Sequence, residues 1–279
     1  MIRVREFLAS FPLADTTKRT YASVLFRFLS DLLSKSCDPA DLSAAGLIEF
    51  VSKPEWGSSR RCVALAACQK YLSWKYGSHP ALSAKLKRVA GKPQRALSAD
   101  VALRLLASFD PYTSKGTRDL AIASVALDTG LRCSEICRLQ QADTDLNQRV
   151  LQVIVKGGQW SAAVFSPETA ENIARWLHYR EVADGQGFLF TNVFTGGGLT
   201  PEGLQSIVRE WGRRIGIKLS PHDFRRTFAV LATENGAPER VLMEGGRWNN
   251  SEMIHRYTRT LKLDSMRQYL PVSKLVKDL

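Results

Sequence analysis

Four short stretches of this 279-residue chain hold side chains whose types and spacing suit chemistry at a phosphodiester. TGLRCSEICRL sets Arg132 just past Gly130, where an apolar run ends, with Glu135 three residues on. VIVKGG places Lys156 at a Gly-Gly turn, and SPHDFRRTFA spaces His222 and Arg225 to share one face of a helix's first turn. GGRWNNSEMIHRYTRT supplies Trp248 and, nine residues later, Tyr257. Two guanidiniums can clamp non-bridging oxygens and stabilise a pentacoordinate transition state, a task suited to arginine's planar fork. A lysine can donate a proton to a departing 5′ oxygen, an imidazole can take the nucleophile's proton, and a phenolate can attack phosphorus. Such a set needs no metal or other cofactor. Singly, each residue has a plainer role: a surface ion pair for an arginine, turn solvation for the lysine, a helix cap for the histidine, packing for the tyrosine. Order and spacing together carry the chemical reading.

The elements that must position these residues follow from periodicity and turn chemistry. Helices are expected around Val101–Phe109, with Ser98 as cap, and around Arg118–Asp128, where LAIASVAL is apolar enough to be buried. RVLQVIVKGGQWSAAVF reads as a β-hairpin, two β-rich runs flanking Gly157-Gly158. Ser166-Pro167, Thr200-Pro201 and Ser220-Pro221 each announce a helix start, a hydroxyl cap followed by proline at the first helical position. FAVLATENGAPERVLMEGG has a helix–turn–helix look.

Residues 1–92 read as helices throughout. In TTKRTYASVLFRFLSDLLSKS the apolar Tyr21, Val24, Leu25, Phe28 and Leu32 share one face, opposite Lys18, Arg19 and Arg27. SAAGLIEFVSK is a shorter helix, and SSRRCVALAACQKYLSWKYG, carrying Arg60 and Arg61, is a longer one ending at Gly77. ALSAKLKRVAGK is expected as a last helix whose Lys85, Lys87, Arg88 and Lys92 form a basic strip. Gly91 and Pro93 then break the pattern. The expectation is a helical domain at 1–92 and a mostly helical domain with a small β-sheet at 97–279.

Composition narrows the partner. The 44% hydrophobic and 24% charged fractions are ordinary for a globular chain, but 39 basic against 27 acidic residues give a net charge of +12. Residues 1–92 hold 15 basic and 7 acidic side chains (+8), while the remaining 187 hold 24 and 20 (+4). A basic surface concentrated on the smaller half fits a polyanion, and several basic runs together favour nucleic acid over a solvated face. No run reaches the length of a membrane span and MIRVREFLASF lacks a signal-peptide core, so no membrane partner is expected. The five cysteines form no CxxC pair and the four histidines show no zinc spacing. The expectation is no metal site and a reducing, cytoplasmic setting.

The chemical residues, in their order, resemble the tyrosine recombinase (phage integrase) family. The match comprises TGLR-xx-E (Arg132, Glu135), a hairpin lysine (Lys156), H-xx-R (His222, Arg225) and a Trp/His position nine residues before a tyrosine (Trp248, Tyr257). The resemblance spans nearly the whole chain and is closest to two-domain, Cre/Xer-like members. It implies a helical N-terminal core-binding domain plus an α+β catalytic domain, with a C-terminal tail from residue 261 onward. It implies Tyr257 as a nucleophile forming a 3′-phosphotyrosyl bond, and Arg132 and Arg225 on the scissile phosphate. Lys156 would be the general acid and His222 the base or a phosphate contact, with Glu135 orienting the first arginine. The implied partner is double-stranded DNA with inverted half-sites, recombined by a tetramer through a Holliday junction without metal or ATP. The implied setting is bacterial, archaeal or that of a phage or mobile element.

This chain departs from the pattern in places. Trp248 stands where many members have histidine, and Arg247 intervenes between the glycines and the tryptophan. An indole can donate one hydrogen bond but cannot shuttle a proton at neutral pH, so a positional role is expected of Trp248. HxxRH continues as Arg226, and the hairpin after Lys156 is uncharged. His255 lies about 200° round a helix from Tyr257 and is expected to point elsewhere. Arg256 and Arg259 are expected to face DNA or an interface. The tail, with Leu261, Leu263, Met266 and Leu270, is expected to dock into a neighbouring subunit rather than fold back. No separate arm-type module is expected before the first helix. Two other classes stand beside the recombinase: a catalytically silent DNA-binding regulator of the same fold, and a type IB topoisomerase. The complete set of two Arg, Lys, His and Tyr argues against the first, and the N-terminal half and tail against the second.

Overall fold

A computed structural model describes residues 2–87, 96–155, 158–180, 187–252, 254, 255 and 258. The chain divides into two compact units, Met1–Lys92 and Pro93–Leu279.

The first unit is helical: α1 (Ile2–Ala9), α2 (Asp15–Ser34), α3 (Ala44–Val51) and α4 (Ser58–Tyr76), with 3₁₀ turns at Pro39–Asp41 and Pro80–Ser83. Val24, Leu25, Phe28 and Leu32 form the buried stripe of α2, and each contributes roughly 2 kcal/mol by leaving water. They share a core with Phe7, Phe50, Trp56, Tyr71 and Leu72. Gly77 ends α4 with φ +73°, a conformation that a side chain would strain.

One expected element differs. ALSAKLKRVAGK is expected as a helix carrying a basic strip, but of its described residues only those in the 3₁₀ turn Pro80–Ser83 are helical, and Ala84 is extended with ψ 130°. The cause is a long-range contact. Gln69 Nε2 on α4 donates to the carbonyls of Leu82 (3.0 Å) and Ala84 (2.9 Å), acceptors that a continuing α-helix would use internally. Lys85 and Lys87 therefore stand exposed on irregular chain. Arg88 and Lys92 lie outside the described residues.

The second unit runs α5 (Ala99–Ala107), α6 (Ser114–Thr129), α7 (Cys133–Ile136), β1 (Thr144–Asp145), β2 (Val150–Ile154), β3 (Trp160–Val164), α8 (Pro167–Tyr179), α9 (Pro201–Arg214), α10 (Pro221–Glu234) and α11 (Glu239–Gly246). The fold is mainly α with a small antiparallel sheet of order β1-β2-β3. Leu151 pairs with Ala163 and Ile154 with Trp160, so the expected hairpin is present with its tip at 156–157 outside the described residues. Ser98, Ser166 and Thr200 cap α5, α8 and α9 with their hydroxyls, and the three Ser/Thr-Pro pairs open α8, α9 and α10.

Helix α6 is the central post, with Ala121, Ile122, Ala123, Val125 and Ala126 all buried. A buried ion pair anchors it: Arg118 donates to Asp119 Oδ1 at 2.9 and 2.6 Å, and Trp211 Nε1 donates to Asp119 Oδ2 at 2.8 Å. At the other end, Asp128 Oδ2 accepts from Ser166 N, Ser166 Oγ and Thr169 Oγ1, fixing the start of α8 against it. Among the described residues no helix is long and apolar enough to cross a membrane.

Candidate active site

The site is built where α6 stops. Gly130 adopts the left-handed conformation (φ +57°), and a Cβ there would lie 2.6 Å from the Phe228 ring. Glycine is thus required both for the turn and for the close approach of α10. Two residues later Arg132 opens the one-turn helix α7. Glu135 reaches back: Oε2 accepts from the Arg132 backbone N–H at 2.8 Å, and Oε1 accepts from Arg132 Nη1 at 2.8 Å. The Glu135 carboxylate is buried (3% exposed), whereas the Arg132 side chain stays 42% exposed. The pair therefore orients an arginine that still reaches solvent.

The second strand of the site is the first turn of α10. Asp223 Oδ2 accepts from both Ser220 N and Ser220 Oγ at 2.7 Å, closing the N-terminus. Arg226 Nη1 donates to Asp223 Oδ1 at 3.1 Å. His222 and Arg225 then stand one turn apart. They line one cleft, of about 560 Å³, together with Arg132, Cys133, Gln205 and Arg209. Partial burial, and then the positive fields of Arg226 and Arg225, hold His222 below the ordinary histidine pKa, with Asp223 opposing. The imidazole is therefore neutral at neutral pH and able to accept a proton.

Arg225 is 2% exposed. Its Nη1 donates to Gly130 O at 2.6 Å and its Nη2 to Gly246 O, tying the end of α6 to the end of α11. Its guanidinium stacks on the Trp248 indole, 4.6 Å from the ring centroid. Trp248 is 6% exposed and packs with Phe228, Ala229, Leu242 and Ile254. The indole thus supports an arginine of the cleft. Gly246 makes room for it, since a Cβ there would lie 2.0 Å from the Trp248 ring.

Lys156 and Tyr257 lie outside the described residues. Near Tyr257, residues 252, 254, 255 and 258 are helical, Ile254 and Thr258 are buried, and His255 Nε2 lies 3.1 Å from Glu239 Oε2. His255 is therefore paired with α11 at the surface. Asp223, Gly246 and Arg247 also shape this region, beyond the residues expected to do chemistry. A Ser-x-x-Asp capping pattern marks the first; the other two depend on contacts between distant segments.

Of the basic residues expected to meet DNA, Arg19 and Arg60 line one groove on the first unit with Ser23, Ser59 and Val63. Arg60 also lies over the Trp56 ring at 5.0 Å. Arg61 donates Nε to Trp56 O (2.8 Å) and Nη2 to Lys53 O (3.1 Å), so part of its fork holds the α3–α4 connection. Arg27 is exposed on α2 and Lys18 half-buried.

Solved structures place this architecture in a class. The XerH site-specific recombinase bound to palindromic difH substrate superposes with a TM-score of 0.76 at 20% identity, over 92% of this chain and 80% of that one. The Tn1549 transposon integrase in complex with transposon right end DNA gives 0.76 at 16% identity, over 96% and 98%. The fold is that of the tyrosine recombinases. The phage integrase family profile matches residues 95–263, and the chain belongs to that family. Among its relatives, the tyrosine recombinase XerD of Listeria monocytogenes is 26% identical over 93% of this chain and 94% of the relative. XerC of Actinobacillus pleuropneumoniae is 27% identical over 71% and 67%.

Proposed function

We propose that this chain is a site-specific DNA recombinase that cuts and rejoins strands through Tyr257. The phenolic oxygen attacks phosphorus, the P–O5′ bond breaks, and a 3′-phosphotyrosyl link and a free 5′-hydroxyl result. Attack by another strand's 5′-hydroxyl reverses these bonds, so no ATP is consumed. Arg132 and Arg225 bind the non-bridging oxygens, and their fixed charges are worth most in the transition state. His222, neutral at pH 7, takes the tyrosine proton or contacts the phosphate, and Lys156 protonates the leaving 5′ oxygen. Glu135 orients Arg132, and Trp248 holds Arg225 flat.

The observation that carries this reading is the convergence of Arg132, from the end of α6, with His222 and Arg225, from the start of α10, on one cleft. Residues 1–92 serve as the core-binding domain, with Arg19, Arg27 and Arg60 among the side chains that meet the phosphate backbone. The assembly is a tetramer on paired inverted half-sites, exchanging strands through a Holliday junction in the cytoplasm of its host.

The test is covalent trapping. On a nicked cognate half-site, from which the short 5′-hydroxyl fragment diffuses away, wild type gives an SDS-resistant protein–DNA adduct without metal or ATP, and Tyr257→Phe gives none. An adduct from the Phe variant would displace Tyr257 as nucleophile. No adduct from either, on a site verified by footprinting, would favour a silent DNA-binding regulator.

A further inference from the structure

Arg247 is in a left-handed conformation (φ +54°, ψ 48°), uncommon for a residue with a side chain. Its side chain folds inward to the loop that carries Arg132. Nη2 donates to Thr129 O at 2.6 Å, one residue before the Gly130 carbonyl held by Arg225. Two cations thus sit on the carbonyl end of α6, where the helix dipole is negative. The remaining donors of Arg247, Nε and Nη1, are buried and have no hydrogen-bond partner among the described residues. Glu135 is the acidic group whose field reaches this guanidinium, and Arg132 the basic one.

This is an unusual grouping. Glu135 is already bonded twice by Arg132, through the backbone N–H and Nη1. Arg247, held at Thr129 O on the same loop, adds a second permanent positive charge whose field reaches that carboxylate without a direct ion pair to it. A simple Arg132–Glu135 pair would be neutral and would attract an anion weakly. The trio carries a surplus of one positive charge, at the edge of the cleft where Arg132 remains half exposed.

We propose that Arg247 is a positioning residue for Arg132. It keeps the Arg132–Glu135 pair electrically positive and offers its two unpaired donors to Glu135 when Arg132 turns toward a phosphate. A guanidinium buried with unsatisfied donors is costly in a fold that does nothing else with it. A hand-over of Glu135 from one arginine to the other gives those donors a partner in the DNA-bound state. Arg247 itself does not touch the DNA; its effect passes through Glu135 and Arg132.

The inference rests on the proposed strand cleavage, so the experiment uses the same single-turnover assay on a nicked cognate half-site. Arg247→Gly removes the guanidinium and relaxes the positive-φ backbone, and Arg247→Lys keeps the charge without the fork. Thermal unfolding confirms that both variants fold. Arg247→Gly is expected to slow adduct formation about 10- to 100-fold while DNA affinity stays within about threefold, and Arg247→Lys to recover part of that loss. A second substrate carries a methylphosphonate at the scissile position, which removes the phosphate charge but leaves the same bonds to break. On it the difference between wild type and Arg247→Gly should shrink to within about threefold, because little charge remains for Arg132 to neutralise. An Arg247→Gly rate equal to wild type on ordinary DNA overturns the proposal. So does a defect equally large on the methylphosphonate, which marks a structural role. Absence of any wild-type adduct would instead sink the cleavage reading itself, and the role of Arg247 with it.

Discussion

The two helix starts that bring arginines to the cleft are built in opposite ways. Arg132 opens a single turn, is tied to one carboxylate and remains 42% exposed. Arg225 sits in the second turn of a fourteen-residue helix, is 2% exposed, and is fixed by two carbonyls and an indole. The first arginine is oriented by one carboxylate and open to solvent; the second is bonded into the core. A site for a polyanion gains from both. In the proposed mechanism the buried fork supplies pre-organised charge, and the exposed one supplies charge within reach of solvent.

Substituting the two arginines should pull stability and activity apart. Arg225→Ala leaves the Gly130 and Gly246 carbonyls without their donor and should cost about 3 kcal/mol of folding stability. Arg132→Ala, at a half-exposed ion pair, should cost about 1 kcal/mol or less. Both should lower adduct formation by at least about 100-fold. Denaturant titrations beside the cleavage assay decide it, and an Arg132→Ala protein less stable than Arg225→Ala would break the contrast.

A smaller effect is expected from Glu135→Gln. The amide keeps one acceptor for the Arg132 backbone N–H but turns a donor toward Nη1. Helix α7 should lose about 1 kcal/mol of cap energy, and cleavage should fall about tenfold as Arg132 loses its orientation. The same substitution in an Arg225→Lys background would show whether the rigid arginine compensates.

The mildest test is pH. His222 is held below the ordinary histidine pKa of about 6.5 by burial and neighbouring cations. Its neutral form is favoured by the fold, so its contribution to stability is intact above that ordinary value. It is lost as pH falls through the lower folded pKa. Adduct formation should follow the same direction, declining on the acid side, and His222→Gln should remove that acid limb. An inflection above the ordinary histidine value would mean that the cations around His222 do not act on it as the geometry requires.

Legibility differed between these regions for physical reasons. Gly130, the Ser-Pro starts and the β-hairpin are local features, and each was readable because the backbone there is set by neighbouring residues. Arg132 with Glu135, and His222 with Arg225, were readable as pairs because helical spacing alone brings their members together. The strand Thr144–Asp145 carries no alternation at two residues long, and went unseen. The described residues after Ser83 carry a helical pattern yet are irregular, because Gln69, on another element, takes the carbonyls of Leu82 and Ala84. Burial of Arg225 was equally hidden: its partners, Gly130 and Gly246, lie 95 and 21 residues away. Trp248 was expected to be positional, and its contact with the Arg225 guanidinium gives that role a target.

The paired glycines before Arg247 bear on how freely this segment can vary. A Cβ on Gly245 would meet Phe228 at 3.6 Å, an ordinary contact, so alanine fits there. A Cβ on Gly246 would lie 2.0 Å from the Trp248 ring, and no rotamer of another residue avoids this, because the clash is with the first side-chain atom. Adjacent and identical in the sequence, the two positions therefore have opposite mutational tolerance. Position 246 can accept a larger residue only once position 248 has given up its indole, so a change at 248 must come first.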